Sequence, residues 1–341
     1  MENTRQTITD FIAQNTRFVL TTHDTPDADG IGAEIALAFI LEKLEKEALI
    51  LNASPIPERF RFMDPLNKAG IWDQEKHGGL PGAWALIILD TSDEFHTGAM
   101  KEVIPLFKET MTIDHHELNP RSAMRGYIDP AAAATCELIM EIAAYFNQTL
   151  DSAAATAAFA GLSYDSGSFA YSKTTARTFK AAQTLVAAGA KPYEIHGFLN
   201  ENDSTAALLL QGRVIAGLTL HCGGKAALMT LGPEDLAVTG ALFEDAESFV
   251  NIPLKSKGVL VSILLKETGE GKIRCSLRSK GAVNVSKIAQ QFSGGGHALA
   301  AGFRSDASLE ETINQVLEKI REALKEAARA SAEPKDPQEK L

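Results

Sequence analysis

Residues 17–33 read RFVLTTHDTPDADGIGA and join two patterns that favour different structures. The first six residues, 17–22, are typical of a buried strand. Residues 23–32 are polar and contain glycine, which indicates a turn. From Ala33 to Lys46 apolar residues recur at helical spacing. The segment therefore predicts a strand, a polar turn and a helix in succession.

Further strand candidates follow along the chain. Residues 49–51 are short and apolar, residues 83–89 (AWALIIL) give the strongest strand signal and end at Asp90, and residues 111–113 end at Asp114. Strands that alternate with helices predict an α/β fold with a mostly parallel sheet flanked by helices. Ligands of such sheets bind beyond the carboxyl ends of the strands, so a site is expected among the polar residues there.

The remainder of the chain predicts a second, smaller α/β domain. Residues 131–190 are alanine-rich and helical, with a loop at 161–173. Strands are expected near 225–231, 257–266 and 272–279, and helices near 283–292 and 308–330. A length of 341 residues also favours two domains. The predicted divisions are a first domain at 1–190, a helical linker at 191–217, a second domain at 218–328 and a disordered tail at 329–341.

The net charge, the cysteine count and the length of the apolar runs limit which classes of protein are expected. The net charge of −11 argues against a protein that coats long nucleic acids through a broad basic face, but it is compatible with a short anionic substrate held by metal ions. The three cysteines, Cys136, Cys222 and Cys275, are sparse and odd in number, which fits a reducing compartment. No signal peptide and no membrane-length apolar run is found. We therefore expect a cytoplasmic protein without a membrane partner.

Four clusters of acidic and histidine residues stand at or near predicted strand or helix ends. They are HDTPDADG at 23–30, Asp90, the run Asp114-His115-His116, and Asp165 in SYDSGSF. Oxygen and imidazole ligands suit Mn²⁺, Mg²⁺, Zn²⁺ or Fe²⁺. Two such ions about 3.5–4 Å apart can activate a water and stabilise the attacking and leaving oxygens. The candidate metal ligands are His23, Asp27, Asp29, Asp90, His115 and Asp165.

Each of these residues alone has an ordinary structural explanation. An aspartate at a strand end, such as Asp90, is commonly a helix N-cap or a turn former, and a histidine pair is often exposed. Together, however, the clusters lie where an α/β sheet places its ligands, and their carboxylates would repel one another without bound cations. The combination therefore predicts a two-metal site.

A second group of candidate residues lies near the C-terminus. Gly294, Gly295 and Gly296 precede His297, and consecutive glycines let backbone N–H groups approach an anion, a flexible hinge being the alternative. Arg278 ends a predicted strand, and its guanidinium suits a bidentate phosphate contact.

In this order, the four N-terminal motifs resemble the DHH phosphoesterase superfamily. The segment SLRSKGAVNVSKIAQQFSGGGHALAAGF at 276–303 is similar to the associated C-terminal domain with its Gly-Gly-Gly-His signature. The resemblance spans roughly residues 15–325. Size and domain order are most similar to the compact nanoRNase type, the oligoribonuclease and pAp-phosphatase group.

The resemblance implies a role for each candidate residue, with the active site in the cleft between the domains. One ion would be held by His23, Asp27 and Asp90, and the other by Asp29, Asp90, His115 and Asp165, with Asp90 bridging. Asp114 would orient His115, and His116 would contact the scissile phosphate or protonate the leaving group. Substrate would be bound by Arg278, Gly294, Gly295, Gly296 and His297. Mn²⁺ is the first expectation for the two ions, with Mg²⁺, Fe²⁺, Zn²⁺ and Co²⁺ as alternatives.

The implied activity is hydrolysis of short RNA or DNA oligonucleotides, or of pAp, to mononucleotides. The alternative is a phosphodiesterase of linear or cyclic dinucleotides such as pApA or c-di-AMP. A catalytically silent nucleotide-sensing module is disfavoured because all six ligands are present. Inorganic pyrophosphatases share the metal motifs but typically use Arg and Lys in the C-terminal domain. A homodimer is reasonable for the family.

The first motif departs from the family's more frequent Pro-Asp-Gly-Asp-Ala-x-Gly-Ser. Here Gly and Ala are exchanged, at Ala28 and Gly30, and Ala33 replaces Ser. The ligands remain, so the exchange bears on the backbone path between Asp27 and Asp29.

Overall fold

The structure is a computed structural model that describes residues 2–117, 124–268, 271–296 and 298–332. The chain divides into two compact units, Met1–Asn202 and Asp203–Leu341. In the described part of the chain, no helix combines the length and the apolar character that crossing a membrane requires.

The first unit is a parallel sheet with helices. Its helices are α1 (Glu2–Gln14), α2 (Ala28–Lys43), α3 (Gln74–His77), α4 (Thr135–Tyr145), α5 (Ser152–Asp165), α6 (Ala176–Ala187) and α7 (Pro192–Asn200). Its strands are β1 (Arg17–Thr21), β2 (Glu47–Asn52), β3 (Ala69–Ile71), β4 (Ala85–Leu89), β5 (Thr110–Asp114) and β6 (Gly126–Ile128). The strands are ordered β3-β2-β1-β4-β5-β6, and each neighbouring pair is parallel.

The strand order places a reversal of the chain path at the centre of the sheet. From β1 the chain moves outward through β2 and β3, then returns to β4 on the other side of β1. Both central strands are apolar because both faces of the sheet are covered. Ile87 and Leu89 of β4 pack into one buried cluster, and Leu86 and Ile88 into another. Such a reversal leaves a crevice at the carboxyl ends of the two strands.

Helices α2 and α5 begin and end differently from the sequence prediction. Helix α2 starts at Ala28 rather than Ala33, because the Asp27 carboxylate caps it by accepting hydrogen bonds from the backbone N–H groups of Asp29 and Gly30 at 2.9 and 3.2 Å. Helix α5 continues through the predicted loop 161–173 as far as Asp165.

Close packing against α2 explains this extension of α5. A Cβ on Gly161 of α5 would stand 2.8 Å from the Ala28 carbonyl oxygen and 2.9 Å from the Asp29 Cα, so only glycine permits this approach. Burial of the alanines that precede it stabilises the helix to its end. The packing carries Asp165 to the same region as Asp29.

The second unit contains a mixed sheet. Its helices are α8 (Thr205–Ala216), α9 (Pro233–Thr239), α10 (Val285–Gln290) and α11 (Leu309–Ala332). Its strands are β7 (Thr219–His221), β8 (Ala226–Leu231), β9 (Val261–Glu267), β10 (Ile273–Ser279), β11 (Gly295–Gly296) and β12 (Ala300–Ser305). The order is β11-β12-β10-β9-β8-β7, in which β8 and β9 are parallel and the other pairs antiparallel. The predicted fold class, two α/β domains with a mostly parallel sheet in the first, is confirmed.

The predicted linker and the start of the predicted tail, which lie outside the two predicted domains, also contain helices. Residues 191–217 of the predicted linker form two helices, α7 in the first unit and α8 in the second. Residues 329–332 of the predicted tail belong to α11, whose alanine-rich end favours helix, and 333–341 lie outside the described residues. Residue patterns do not predict strand β12, because its alanines and glycine have low strand propensity. The strand forms because it pairs with β10.

Candidate metal centre

The predicted ligands all lie at the ends of elements. His23 follows β1, Asp90 follows β4, and His115 follows β5, so three of them stand at the carboxyl edge of the sheet. Asp27 and Asp29 belong to the start of α2, and Asp165 is the last residue of α5. The sheet and the two helices therefore supply the site from two directions.

One group of ligand atoms surrounds His23. Its Nε2 lies 3.7 Å from Asp27 Oδ1 and 3.7 Å from Asp90 Oδ2. One ligand atom from each of His23, Asp27 and Asp90 lies within 4.8 Å of the others, which is a spacing that could hold a metal ion. This is the set that the resemblance assigned to the first ion.

A second group surrounds His115. Its Nε2 is 3.0 Å from Asp165 Oδ2, 3.6 Å from Asp90 Oδ1 and 3.9 Å from Asp29 Oδ2. Asp29, His115 and Asp165 form another set with metal-ligand spacing. Among the described residues this buried nitrogen makes no hydrogen bond of good geometry despite the short distance to Asp165. A buried imidazole nitrogen that has no hydrogen bond and lies close to three carboxylates is in the position that a metal ligand would occupy.

Asp90 is the residue that connects these groups. It belongs to the His23 set and also to a third set with His115 and His116. Its backbone is left-handed, at φ 62°, which is strained for a residue with a Cβ. Its N–H donates to the Ile113 carbonyl at 2.9 Å, and Thr135 Oγ1 donates to its Oδ1 at 2.9 Å. The carboxylate is thus held in a position shared by both groups.

Asp114 lies against His116 rather than His115. Asp114 Oδ1 is 2.7 Å from His116 Nδ1 and accepts the His116 backbone N–H at 3.1 Å, whereas His115 Nδ1 is 3.4 Å from the Ala132 carbonyl oxygen. The resemblance had implied that Asp114 orients His115. The turn after β5 instead folds the side chain of His116 back on Asp114.

Asp29 has a structural function besides its predicted one. Its Oδ2 accepts the Thr135 N–H at 2.5 Å and its Oδ1 the Cys136 N–H at 2.9 Å. These N–H groups belong to the first turn of α4, whose own N-cap residue, Ala134, provides no side-chain hydrogen bond. Asp29 therefore caps α4 from α2, and Thr135 is a site residue that no sequence motif indicated.

Burial and the repulsion between the negatively charged carboxylates of the centre raise the pKa of three of them. Burial and the neighbouring carboxylate of Asp165 raise the pKa of Asp29 to about 6. Burial and Asp27 raise the pKa of Asp165 to about 7. Burial and Asp29 also raise the pKa of Asp90 well above its usual range. Bound divalent cations would remove this repulsion.

Two other carboxylates at the same site, Asp27 and Asp114, instead have lowered pKa values. Burial raises the pKa of Asp27, but the interactions with His23 and the backbone N–H groups of Gly30 and Asp29 together outweigh it, and the pKa falls to about 2. For Asp114 hydrogen bonds from His116 and Ser92 likewise outweigh burial and lower the pKa. Burial lowers the pKa of His23, but Asp27 and Asp90 raise it well above its ordinary value. Carboxylate oxygens and imidazole nitrogens together fit Mn²⁺, Mg²⁺ or a similar divalent ion.

The exchange of Gly and Ala in the first motif has a steric cause. A Cβ on Gly30 would stand 2.4 Å from Thr22 Oγ1, which donates to the Leu89 carbonyl at 2.8 Å. Glycine is therefore required at position 30, while Ala28 is fully buried without conflict. The backbone from Asp27 to Asp29 is the start of α2, so both carboxylates keep defined positions.

The predicted substrate residues lie in the second unit. Arg278 is on β10, and its Nη1 donates to the Leu277 carbonyl at 3.0 Å. A Cβ on Gly294 would stand 2.2 Å from the Gly302 oxygen, and one on Gly296 (φ 130°) 2.5 Å from the Ala300 oxygen. These two glycines are thus needed for the backbone approach at β12.

Gly295 has open space around the position of a Cβ and is exposed. Its contact with an anion stays a prediction. His297 lies outside the described residues.

Comparison with known proteins gave two family matches. The family model described as the DHH family, N-terminal domain, matches residues 17–162. The model described as the DHHA1 domain matches residues 236–326. The first match includes every predicted ligand except Asp165, and the second includes Arg278 and the glycine run.

Two kinds of curated relative are similar to the chain. The bifunctional oligoribonuclease and PAP phosphatase NrnA of Thermus thermophilus is 29% identical over 314 residues, which cover 90% of each protein. The cyclic-di-AMP phosphodiesterase GdpP of Geobacillus thermodenitrificans is 27% identical over 91% of this chain but only 48% of its own length. Among solved structures, an exopolyphosphatase-related protein from Bacteroides fragilis is 24% identical, with a TM-score of 0.87 over 95% of this chain and 98% of that one. This likeness shows the fold.

Proposed function

Because this chain belongs to the DHH phosphoesterases, with a DHH N-terminal domain and a DHHA1 domain, we propose that it hydrolyses short oligonucleotides and pAp to mononucleotides. The protein is a metal-dependent hydrolase. Similarity to NrnA over nine-tenths of both chains supports this substrate class. The structural observation that carries the proposal is the shared position of Asp90 between the candidate ligand groups.

The proposed ligand sets are those implied by the resemblance. His23, Asp27 and Asp90 would hold one ion, and Asp29, Asp90, His115 and Asp165 would hold the other. Two divalent ions held by these residues would supply the activation of a water and the compensation of negative charge on the phosphate. Mn²⁺ is the proposed ion, since its preference for mixed oxygen and nitrogen ligands fits the donor set.

His116 is the proposed proton donor to the leaving oxygen. The Asp114 carboxylate lies 2.7 Å from His116 Nδ1, so it orients the ring through that nitrogen and leaves Nε2 to carry the proton that is donated. The Nε2 atom is then the one that faces substrate, and the lowered pKa of Asp114 keeps the carboxylate charged beside it. Asp114 is thus a positioning residue and His116 a catalytic one.

The second unit is proposed to bind the part of the substrate that does not react. Arg278 offers a forked cation for a phosphate or a base edge, and Gly295 is an exposed residue of the glycine run. We assign His297 to the same function from its place in the Gly-Gly-Gly-His signature. We further propose that the enzyme is cytoplasmic, as its composition predicts, and that it forms a homodimer, as the resemblance to the family implies.

Hydrolysis of linear or cyclic dinucleotides is the second candidate function. Its support is the similarity to GdpP and to the cyclic-di-AMP phosphodiesterase PdeA of Listeria monocytogenes. This chain covers only 48% and 49% of those two proteins. The first function is favoured because the match to NrnA covers 90% of that protein.

The test is a substrate comparison with the purified full chain and Mn²⁺. We expect release of mononucleotides from pApA and from RNA of two to five nucleotides, release of phosphate from pAp, and little hydrolysis of c-di-AMP. A chelator should abolish every activity, and added Mn²⁺ should restore it. Faster hydrolysis of c-di-AMP than of pApA and pAp would instead establish the second candidate function.

A further inference from the structure

The loop 166–175, between α5 and α6, places the positively charged side chain of Lys173 beside the metal centre. Three consecutive residues, Gly167, Ser168 and Phe169, have left-handed backbones, with φ of 59°, 55° and 67°. The Ser168 N–H donates to the Ser163 carbonyl at 2.7 Å, and the Tyr171 N–H donates to the Ser166 carbonyl at 2.9 Å. The loop is therefore held in one conformation by its own hydrogen bonds.

Aromatic packing holds the same loop from behind. The Phe169 ring lies 5.8 Å from that of Phe159 on α5 and stacks at 5.5 Å on that of Phe179 on α6. The strained backbone is thus stabilised by contacts with both flanking helices. Strain of this kind, held by surrounding structure, is common at ligand sites.

Lys173 is the side chain that this loop presents. Its Nζ lies 3.4 Å from the carbonyl oxygen of His115, although most of the residue is exposed. It also acts on Asp165, where burial raises the carboxyl pKa and the positive charge of Lys173 opposes that rise. Within the described residues no carboxylate lies within 4.0 Å of Nζ to form an ion pair. Among the described residues, the Lys173 ammonium therefore lies beside the metal centre without forming an ion pair with a carboxylate.

The net negative charge of the metal centre favours a cation such as Lys173 beside it. Its five carboxylates are Asp27, Asp29, Asp90, Asp114 and Asp165. Two divalent ions leave the site about one negative charge in excess, and a phosphodiester substrate adds about one more. An ammonium has three donors and a compact charge that can contact a phosphate oxygen directly.

We propose that Lys173 binds the phosphate that is cleaved, on the side of the centre formed by His115 and Asp165. The inference deepens the proposed function and rests on it for the reaction at this site. The competing role for Lys173 is purely structural, as an anchor for the His115 carbonyl. The two roles differ in what happens to metal binding when the charge is removed.

The experiment compares Lys173→Met and Lys173→Arg with the control Lys180→Met, which removes an exposed lysine of α6. The substrates are bis-p-nitrophenyl phosphate and pApA, both with Mn²⁺. Loss of a charged hydrogen bond to the reacting phosphate should lower kcat/KM of Lys173→Met about 10- to 100-fold on both substrates. Lys173→Arg should recover most of that loss, and Lys180→Met should match wild type. Metal content by plasma mass spectrometry and the melting temperature should be unchanged.

Two results would overturn the proposal. A parallel loss of bound metal in Lys173→Met would show that the lysine holds the His115 segment. A loss confined to pApA would show that it contacts a distant phosphate rather than the one that reacts. The chromogenic ester also separates this inference from the proposed function. If wild type cleaves the ester but neither pApA nor pAp, the proposed substrates are wrong while the Lys173 comparison on the ester still decides its role.

Discussion

The two units expose their candidate site residues to very different degrees. In the first unit Asp29, Asp90 and His115 are 0%, 2% and 5% exposed. In the second, Arg278 is half-buried and Gly295 is exposed. Buried charges demand compensation and respond strongly to one another, whereas solvated groups keep ordinary properties. The difference agrees with the proposed roles, chemistry in the first unit and substrate binding in the second.

The largest expected effect comes from the buried group. Asp90→Ala removes the carboxylate common to the candidate ligand groups and should lower turnover of every substrate by at least about 10³-fold. The apo protein should still fold, because one of several repelling carboxylates is gone. Steady-state kinetics in Mn²⁺, with metal content measured in parallel, check this expectation.

The control is Asp10→Ala, which removes an exposed aspartate of α1 and should leave turnover unchanged. If Asp90→Ala kept turnover within tenfold of wild type, the shared ligand would be wrong and the contrast between the units would lose its basis.

A smaller and selective effect is expected in the second unit. Arg278→Ala should raise KM for di- and trinucleotides about tenfold, equivalent to about 1.4 kcal/mol. Hydrolysis of bis-p-nitrophenyl phosphate should change much less, because that ester lacks the additional nucleotide. Arg274→Ala is the matched control, since it lies on the same strand, is exposed and is 3.7 Å from Glu247. Equal losses on both substrates would indicate a structural role for Arg278.

The smallest effect on turnover is expected at a buried residue that acts on stability, and it separates burial from catalysis within the first unit. Glu34 on α2 is fully buried, and burial raises its carboxyl pKa from 4.5 to about 8 although Asn52 donates a hydrogen bond to it at 3.0 Å. The folded protein therefore retains a proton that the unfolded chain releases above pH 4.5. The stabilising effect of this proton is complete below pH 4.5 and is lost as the pH rises through about 8.

Glu34→Gln cannot ionise, so its stability should depend less on pH than that of wild type. The difference should be at most about 1.4 kcal/mol per pH unit within that window. Urea denaturation in the presence of a chelator at several pH values measures it, with the exposed Glu47→Gln as control. Turnover should change little. Parallel pH profiles for Glu34→Gln and wild type would show that Glu34 titrates normally.

Much of the first unit could be predicted from residue patterns because its signals are local. The segments 17–22 and 83–89 each correspond to a central strand. The second unit was harder to predict at β12, where alanine and glycine give no strand signal. Its glycine run illustrates the same limit, since Gly294 and Gly296 are explained by backbone contacts with β12 that only the folded chain displays.

The sequence by itself determined the donor types, their order and their location at the ends of strands, because ligand chemistry and hydrophobic periodicity are properties of neighbouring residues. Only the tertiary structure decided that Asp29 caps α4, with the Cys136 N–H 107 positions away, and that Thr135 bonds to Asp90. It also decided that Lys173 reaches the carbonyl of His115, 58 positions away. These contacts depend on how closely α2, α4 and α5 pack, and side-chain volumes and backbone clearances across the core set that distance.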